Sequence, residues 1–152
     1  MEAKLTLRDA HRSDLEALLS IQKASPGAAR WTRDAYESLL AADGTLCLVA
    51  QGNSEERMGF VLARIAADEM EILNLAVRPV ARRRGLGRRL VEEALARARG
   101  RGARQCWLEV RASNRAALEF YRALGFKERA RRTGYYRDPV EDAVICARSL
   151  AP

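Results

Sequence analysis

The sequence predicts an α+β domain in three layers, α/β/α, built on a mixed and mostly antiparallel central sheet. Two patterns carry that prediction. Residues Thr45 to Ala50, Met58 to Ile65 and Met70 to Val77 are runs rich in apolar and β-branched residues. Their connections leave no room for crossover helices, so they form a meander. Between Val77 and the strand-like Cys106 to Val110, Leu86, Leu90, Ala94, Leu95 and Ala98 recur at helical spacing. A strand–helix–strand unit of this kind permits one parallel pair with a right-handed crossover. At 152 residues, the whole span 1–152 fits one domain able to fold without metals or disulfides.

Taken in order, Lys4 to Arg8 alternates polar and apolar residues and predicts a first strand. Ser13-x-x-Glu16 has the form of a capping box, opening a helix with Leu15, Leu18, Leu19 and Ile21 on its apolar side. Pro26-Gly27 ends that stretch. Thr32 caps a second helix, which turns Tyr36, Leu39 and Leu40 inward. Residues Gly52 to Arg57 form a hairpin loop, and a turn around Asp68 leads into the third strand of the meander. Pro79 limits that strand, because a proline donates no ladder hydrogen bond. Gly100-Arg101-Gly102 stops the long helix, Ser113-Asn114 introduces a short one carrying Ala117, Phe120, Tyr121 and Leu124, and Gly125 ends it. A closing strand pair spans about Lys127 to Arg132 and Val140 to Arg148, with Thr133 to Pro139 as its connection.

Composition narrows the function classes. The chain is 48% hydrophobic and 31% charged, as in an ordinary globule. No apolar run approaches the roughly 20 residues of a membrane helix, and Met1 to Leu5 lacks the features of a secretory signal. Cys47, Cys106 and Cys146 lie far apart in apolar surroundings, without a C-x-x-C pair and with a single histidine in the chain. That argues against a zinc site or a disulfide framework and points to a reducing, cytoplasmic setting. The net charge is +7, and ten arginines stand between Arg78 and Arg104 against only Glu92 and Glu93. Such a field steers a polyanion, whether nucleic acid or a phosphorylated cofactor, or simply solvates a helix. No aromatic series is interleaved with it as on single-strand-binding surfaces, so nucleic acid is not the expected partner.

The segment Val77-Arg78-Pro79-Val80-Ala81-Arg82-Arg83-Arg84-Gly85-Leu86-Gly87-Arg88 sits between a strand and an amphipathic helix. Gly85 and Gly87 allow a tight turn and a close ligand. Unpaired N–H groups at the helix start, with its dipole, suit a pyrophosphate. The segment has neither the G-x-G-x-x-G dinucleotide fingerprint nor the lysine and hydroxyl of a Walker-type site.

These residues resemble the GNAT superfamily of acetyltransferases, whose signature of Arg or Gln, two residues, Gly, one residue, Gly or Ala is met by Arg82-Arg83-Arg84-Gly85-Leu86-Gly87. The likeness is closer to the bacterial ribosomal-protein-alanine N-terminal acetyltransferases. It runs through Asn74-Leu75-Ala76-Val77, Leu108 to Asn114, Ala117 to Phe126, Tyr135-Tyr136 and Glu141-Asp142-Ala143. The resemblance implies a sheet whose parallel strands splay to admit acetyl-coenzyme A. The backbone of Leu75, Ala76 and Val77 would hold the acetyl-pantetheine arm. Arg82, Arg83, Arg84, Gly85, Leu86 and Gly87, with Arg88 nearby, would hold the pyrophosphate. Asn114 would touch the cofactor arm, cap its helix, or do both.

The resemblance also implies direct attack by an N-terminal α-amine on the thioester, with Glu109 as general base and Tyr121 as general acid to the departing sulfur. Glu109 as a structural hydrogen-bonding group and Tyr121 as a packed ring are the competing readings. Glu71 and Asn74 are candidates for placing a water or the amine, Tyr135 and Tyr136 for walling a peptide channel, and Trp31 for bordering it. The implied partner is a protein or peptide N-terminus, a small-subunit ribosomal protein among the candidates, with a lysine or small amine as the alternative acceptor. Ala81, Arg84, Gly134 and Arg137-Asp138-Pro139 depart from the close relatives' pattern, and these departures bear on the acceptor more than on the cofactor loop.

Overall fold

The computed structural model describes residues 4–151, so the secretory-signal reading of Met1 to Ala3 lies outside the described residues. One seven-stranded sheet forms the middle layer. Its strands are β1 (Thr6–Asp9), β2 (Thr45–Gln51), β3 (Arg57–Ala66), β4 (Glu69–Val77), β5 (Gln105–Arg111), β6 (Lys127–Tyr136) and β7 (Glu141–Ser149), in spatial order β1-β2-β3-β4-β5-β7-β6. Helices α1 (Leu15–Lys23) and α2 (Arg33–Ala41) cover one face; α3 (Leu86–Gly100) and α4 (Arg115–Ala123) cover the other. All pairings are antiparallel except β4 with β5. Among the described residues no helix is long and apolar enough to cross a membrane.

Two cores lie on the two faces. Leu90, Val91, Ala94, Leu95 and Ala98 of α3 pack on Leu46, Leu48, Val61, Met70 and Cys106. Leu18, Ile21 and Tyr36 pack on Cys47, Val49, Phe60 and Leu62. Each fully buried leucine or isoleucine contributes about 1.5–3 kcal/mol relative to exposure, so these faces hold the helices in place. Thr32 caps α2 as its sequence predicts, accepting from the Ala35 N–H at 3.2 Å.

The start of α1 differs from the expected Ser13–Glu16 box. A 3-10 turn at Arg12–Asp14 precedes the helix, and the carboxylate contact forms two residues earlier than expected: Asp14 accepts the His11 N–H at 2.7 Å, while the Glu16 carboxylate pairs with Arg33. Two arginines, Arg8 and Arg57, also bind the Asp14 carboxylate. Held in place by the two guanidiniums, this carboxylate fixes the start of the turn.

Strand β6 runs on to Tyr136, so Thr133 to Tyr136 belong to a strand rather than to the expected connection. The reason is a wide irregularity: Arg132 pairs with Ala143 and Tyr136 with Glu141, so three β6 residues face Asp142 alone. Gly134 absorbs the excess at φ 61°, and its N–H donates to Asp142 Oδ1 at 3.0 Å.

Candidate active site

The parallel pair is short. Strands β4 and β5 meet only at Glu69–Gln105, Met70–Cys106 and Glu71–Trp107, then diverge. A bulge in β4 coincides with the divergence. Leu62 of β3 pairs with Asn74 and Ala63 with Ile72, leaving Leu73 as an extra residue. One inserted residue inverts the alternation. Met70 and Ile72 therefore belong to the α3 core, whereas Ala76 beyond the bulge belongs to the α1 core.

Asn74, 5% exposed, pins this bulge to the loop between α1 and α2. Its Oδ1 accepts from the N–H groups of Ala29 and Leu75, both at 3.0 Å. Its Nδ2 faces the Ala29 carbonyl and the Tyr36 hydroxyl at 3.1 Å. Gln22 completes the network, its Oε1 accepting from Tyr36 Oη at 2.6 Å and from the Trp31 N–H at 3.0 Å. The Trp31 indole N–H donates to the Leu73 carbonyl at 3.4 Å. With its amide occupied in this way, Asn74 fixes the loop wall of the cleft that it also lines.

The divergence opens a cleft of about 970 Å³. One wall is β4 from Ile72 to Val77, the other is β5 from Leu108 to Arg111 with Asn114, Ala117 and Tyr121, and the loop Ser25 to Ala29 forms a third side. A Cβ placed on Gly27 would stand 3.1 Å from Asn114 Nδ2, so loop and α4 meet there. Asn114 caps α4, its Oδ1 accepting the Ala117 N–H at 3.1 Å, a bond worth about 1 kcal/mol. Its Nδ2 is left on the cleft side, which keeps both sequence readings of this residue compatible.

At one end lies the arginine-glycine loop. Pro79 opens a 3-10 turn, Arg83 and Gly85 take left-handed φ values of 63° and 73°, and α3 begins at Leu86. Among the described residues, none of the six N–H groups from Arg83 to Arg88 has a backbone acceptor. They form an anion-binding arc whose charge complement is the helix dipole. The Arg82 side chain is turned away to brace the loop, donating to the Val77 carbonyl at 3.1 Å and the Ala24 carbonyl at 3.0 Å. A Cβ on Gly87 would lie 3.4 Å from the Phe120 ring, so glycine keeps the floor of the loop low. This donor set fits the pyrophosphate of acetyl-coenzyme A, and the bare β4 edge fits an extended pantetheine arm.

At the other end stand Glu109 and Tyr121, on opposite faces of the sheet. Leu108 and Val110 point into the α3 core, so Glu109 points to the α1 side, with a side chain 14% exposed. Tyr121 packs edge-on against Phe120 and Phe126 within the α3 core. Burial raises its phenol pKa well above the ordinary value, so the hydroxyl keeps its proton. Only the gap between the splayed strands lets the two residues line one cavity. Glu109 is 3.6 Å from the Arg132 guanidinium. Its charge and hydrogen bonding raise the Tyr135 pKa. Tyr136 is raised chiefly by burial, then by Glu109.

Of the residues singled out from sequence, Asn74, Leu75, Ala76, Val77, Arg82, Arg83, Gly85, Leu86, Gly87, Arg88, Glu109, Asn114, Tyr121 and Tyr136 line the cleft. Arg84, Trp31, Glu71 and Tyr135 stand outside its lining; Glu71 is paired with Arg64 at 2.7 Å. Sequence reasoning missed Gln22, the Ser25–Ala29 wall, Arg132 and Arg111. The last locks the β6–β7 turn, bonding the Arg137 carbonyl at 3.1 Å and Glu141 at 3.2 Å while lying 4.4 Å over the Tyr136 ring.

Comparison with known proteins agrees with this geometry. The profile of the acetyltransferase (GNAT) family matches residues 12–126. The ribosomal protein bS18-alanine N-acetyltransferase of Escherichia coli is 43% identical over 94 residues, which is 60% of this chain and 64% of that protein, just under two thirds of its length. The N-alpha-acetyltransferase RimI of Mycobacterium tuberculosis is 35% identical over 149 residues, 95% of this chain and 89% of that one. The crystal structure of the Escherichia coli ribosomal-protein-S18-alanine N-acetyltransferase superposes with a TM-score of 0.88 at 33% identity, covering 98% of this chain and 96% of that one. The phosphate loop, the splayed strands and α4 all fall inside the matched residues, and the chain belongs to the acetyltransferase (GNAT) family.

Proposed function

We propose that this protein is a single-domain cytoplasmic enzyme that moves the acetyl group of acetyl-coenzyme A onto the N-terminal α-amine of a protein or peptide, a small-subunit ribosomal protein being the leading acceptor. One observation supports it above the others: a single cleft joins an arc of free N–H groups at one end to a carboxylate and a buried phenol at the other. When bound, acetyl-coenzyme A supplies an activated thioester carbonyl and a thiolate leaving group.

The chain's own groups divide the remaining work. The N–H groups of Arg83 to Arg88 hold the pyrophosphate, and Arg88 adds charge at the cleft edge. The β4 edge at Leu75, Ala76 and Val77, free of a strand partner on the β5 side, aligns the pantetheine arm, and the N–H of Ala76 or Val77 is offered to the carbonyl oxygen. Glu109 accepts the proton of the incoming amine, directly or through water. Tyr121, held protonated by burial, gives its proton to the sulfur. Tyr135 and Tyr136 wall the acceptor channel beside Glu109, with Trp31 and Glu71 at its margin, while Asn74 and Asn114 position the two lips.

The test is mass spectrometry on matched peptides with free and blocked N-termini incubated with acetyl-coenzyme A. A gain of one acetyl mass on the free terminus alone is expected. Equal reaction of a blocked peptide at an internal lysine would overturn the amine class.

A further inference from the structure

The loop Ser25 to Ala29, one wall of the cleft, is fixed at both ends, and the two fixings belong to different parts of the molecule. At the far end, the Asn74 side chain of the β4 bulge binds both the N–H and the carbonyl of Ala29. Gln22 of α1 holds the residues that follow, its Nε2 donating to the Trp31 carbonyl at 2.8 Å. At the near end the holder is Arg82. Its Nη2 donates to the Ala24 carbonyl at 3.0 Å and to Ser25 Oγ at 3.3 Å, while its Nε donates to the Val77 carbonyl at 3.1 Å. Ser25 is buried and passes the contact on to α1, its hydroxyl donating to the Ile21 carbonyl at 2.8 Å.

Arg82 also marks where the anion arc begins. Its own N–H is satisfied by the Pro79 carbonyl at 3.2 Å, and the free N–H groups start at Arg83, the left-handed residue at φ 63°. One residue therefore has its main chain in the cofactor turn and its side chain in the wall on the Glu109 side of the sheet. Pyrophosphate drawn onto the Arg83 N–H fixes the peptide unit that Arg82 and Arg83 share, and with it the root of the Arg82 side chain. A guanidinium with a fixed root loses less freedom in gripping Ala24 and Ser25.

We propose that Arg82 is a positioning residue that couples cofactor to acceptor: coenzyme A on the arginine-glycine turn sets the Ser25–Ala29 wall for the incoming peptide. This rests on the N-terminal acetyltransferase reading given above. The far-end bonds run to Asn74 and Gln22, which make no hydrogen bond to the turn among the described residues, so they carry no such signal. Arg78 reaches α1 as well, at Ser20 Oγ 3.5 Å away, but that contact is with the body of the helix and not with the loop. Linkage makes the effect reciprocal: the peptide tightens coenzyme A by the same factor by which coenzyme A tightens the peptide.

The test is calorimetric titration of coenzyme A onto the intact protein, alone and with a saturating peptide copied from the N-terminus of ribosomal protein bS18. In wild type the peptide is expected to tighten coenzyme A about fivefold, the lower end of ordinary coupling, because the Arg82 side chain is exposed. Arg82→Met keeps the stem and removes the donors, so the factor should fall towards one. Ser25→Ala leaves the turn untouched. It should lower the factor part of the way, keep coenzyme A affinity without peptide within about twofold of wild type, and add nothing in the Arg82→Met background. The factor is a ratio within one protein, so a variant that only binds coenzyme A more weakly, or only lowers stability, leaves it unchanged. A factor of one in wild type, or the wild-type factor retained in Arg82→Met, would overturn the inference while leaving the enzyme assignment standing. Failure of the wild-type protein to acetylate the same peptide would overturn both.

Discussion

As the proposed base and the proposed acid, Glu109 and Tyr121 need opposite surroundings, and the sheet supplies them by putting one on each face. Glu109 borders polar groups and solvent, as a proton acceptor should. Tyr121 is wrapped in aromatic rings that keep its proton on. Replacing Glu109 by Gln preserves shape and removes basicity; kcat is expected to fall by about two orders of magnitude with little change in KM for acetyl-coenzyme A. Tyr121→Phe keeps the ring packing, so its melting temperature should stay near wild type while kcat falls by a similar factor. The sign for pH follows from the direction of the shift. A raised phenol pKa retains the acid form past the ordinary tyrosine value of about 10, so Tyr121 imposes no loss of rate below that pH. Steady-state kinetics across pH on the two variants checks both statements. Wild-type rates from either variant would remove these residues from the chemistry.

At the level of elements, the loop between β4 and α3 works through backbone, so it is sensitive to atoms rather than to charge. Gly87→Ala places a methyl in ordinary contact with Phe120 and should bind the cofactor nearly as wild type does. Gly87→Val forces the ring or the loop to move, and KM for acetyl-coenzyme A is expected to rise about tenfold, the scale of a modest overpacking cost. Titration with coenzyme A by calorimetry separates the two. This loop was legible in the sequence because its determinants are local: two glycines, a proline and a helix start within twelve residues. The caps at Thr32 and Asn114 were legible for the same reason. The Leu73 bulge was not, since an extra residue shows only against the partner strand. Nor was the extension of β6, which depends on Asp142 meeting Gly134. Asn74 stood out in sequence, but its occupation by Ala29 and Tyr36 joins segments about forty residues apart and leaves no local trace. Arg132 reads as one of several exposed arginines until β7 is laid beside it.

On the scale of the whole molecule, Asp14 ties three elements together. Its buried carboxylate takes Arg8 of β1 at 2.8 and 2.9 Å, Arg57 of β3 at 2.9 Å and the turn before α1. These partners, Arg8 foremost, hold its pKa well below the usual carboxylate range. A depressed folded value means the stabilisation is complete above the unfolded pKa of about 3.9 and is lost as pH falls below it. Asp14→Asn is expected to cost about 3 kcal/mol at neutral pH, since it strands two guanidiniums, and to flatten the acid limb of the stability curve. Denaturant melts at pH 7 and pH 3 check this: an equal deficit at both would sink it. The opposed placement of Glu109 and Tyr121 has its own consequence for turnover. On the proposed mechanism, a hydrogen ion gained on the peptide side and another surrendered on the coenzyme side leave the enzyme electrically lopsided after each round. Where the strands splay no β4–β5 ladder closes the space between them, so the return runs through that gap. Bulk water entering that gap restores the starting state, which makes recharging a distinct stage of the cycle after both products have gone.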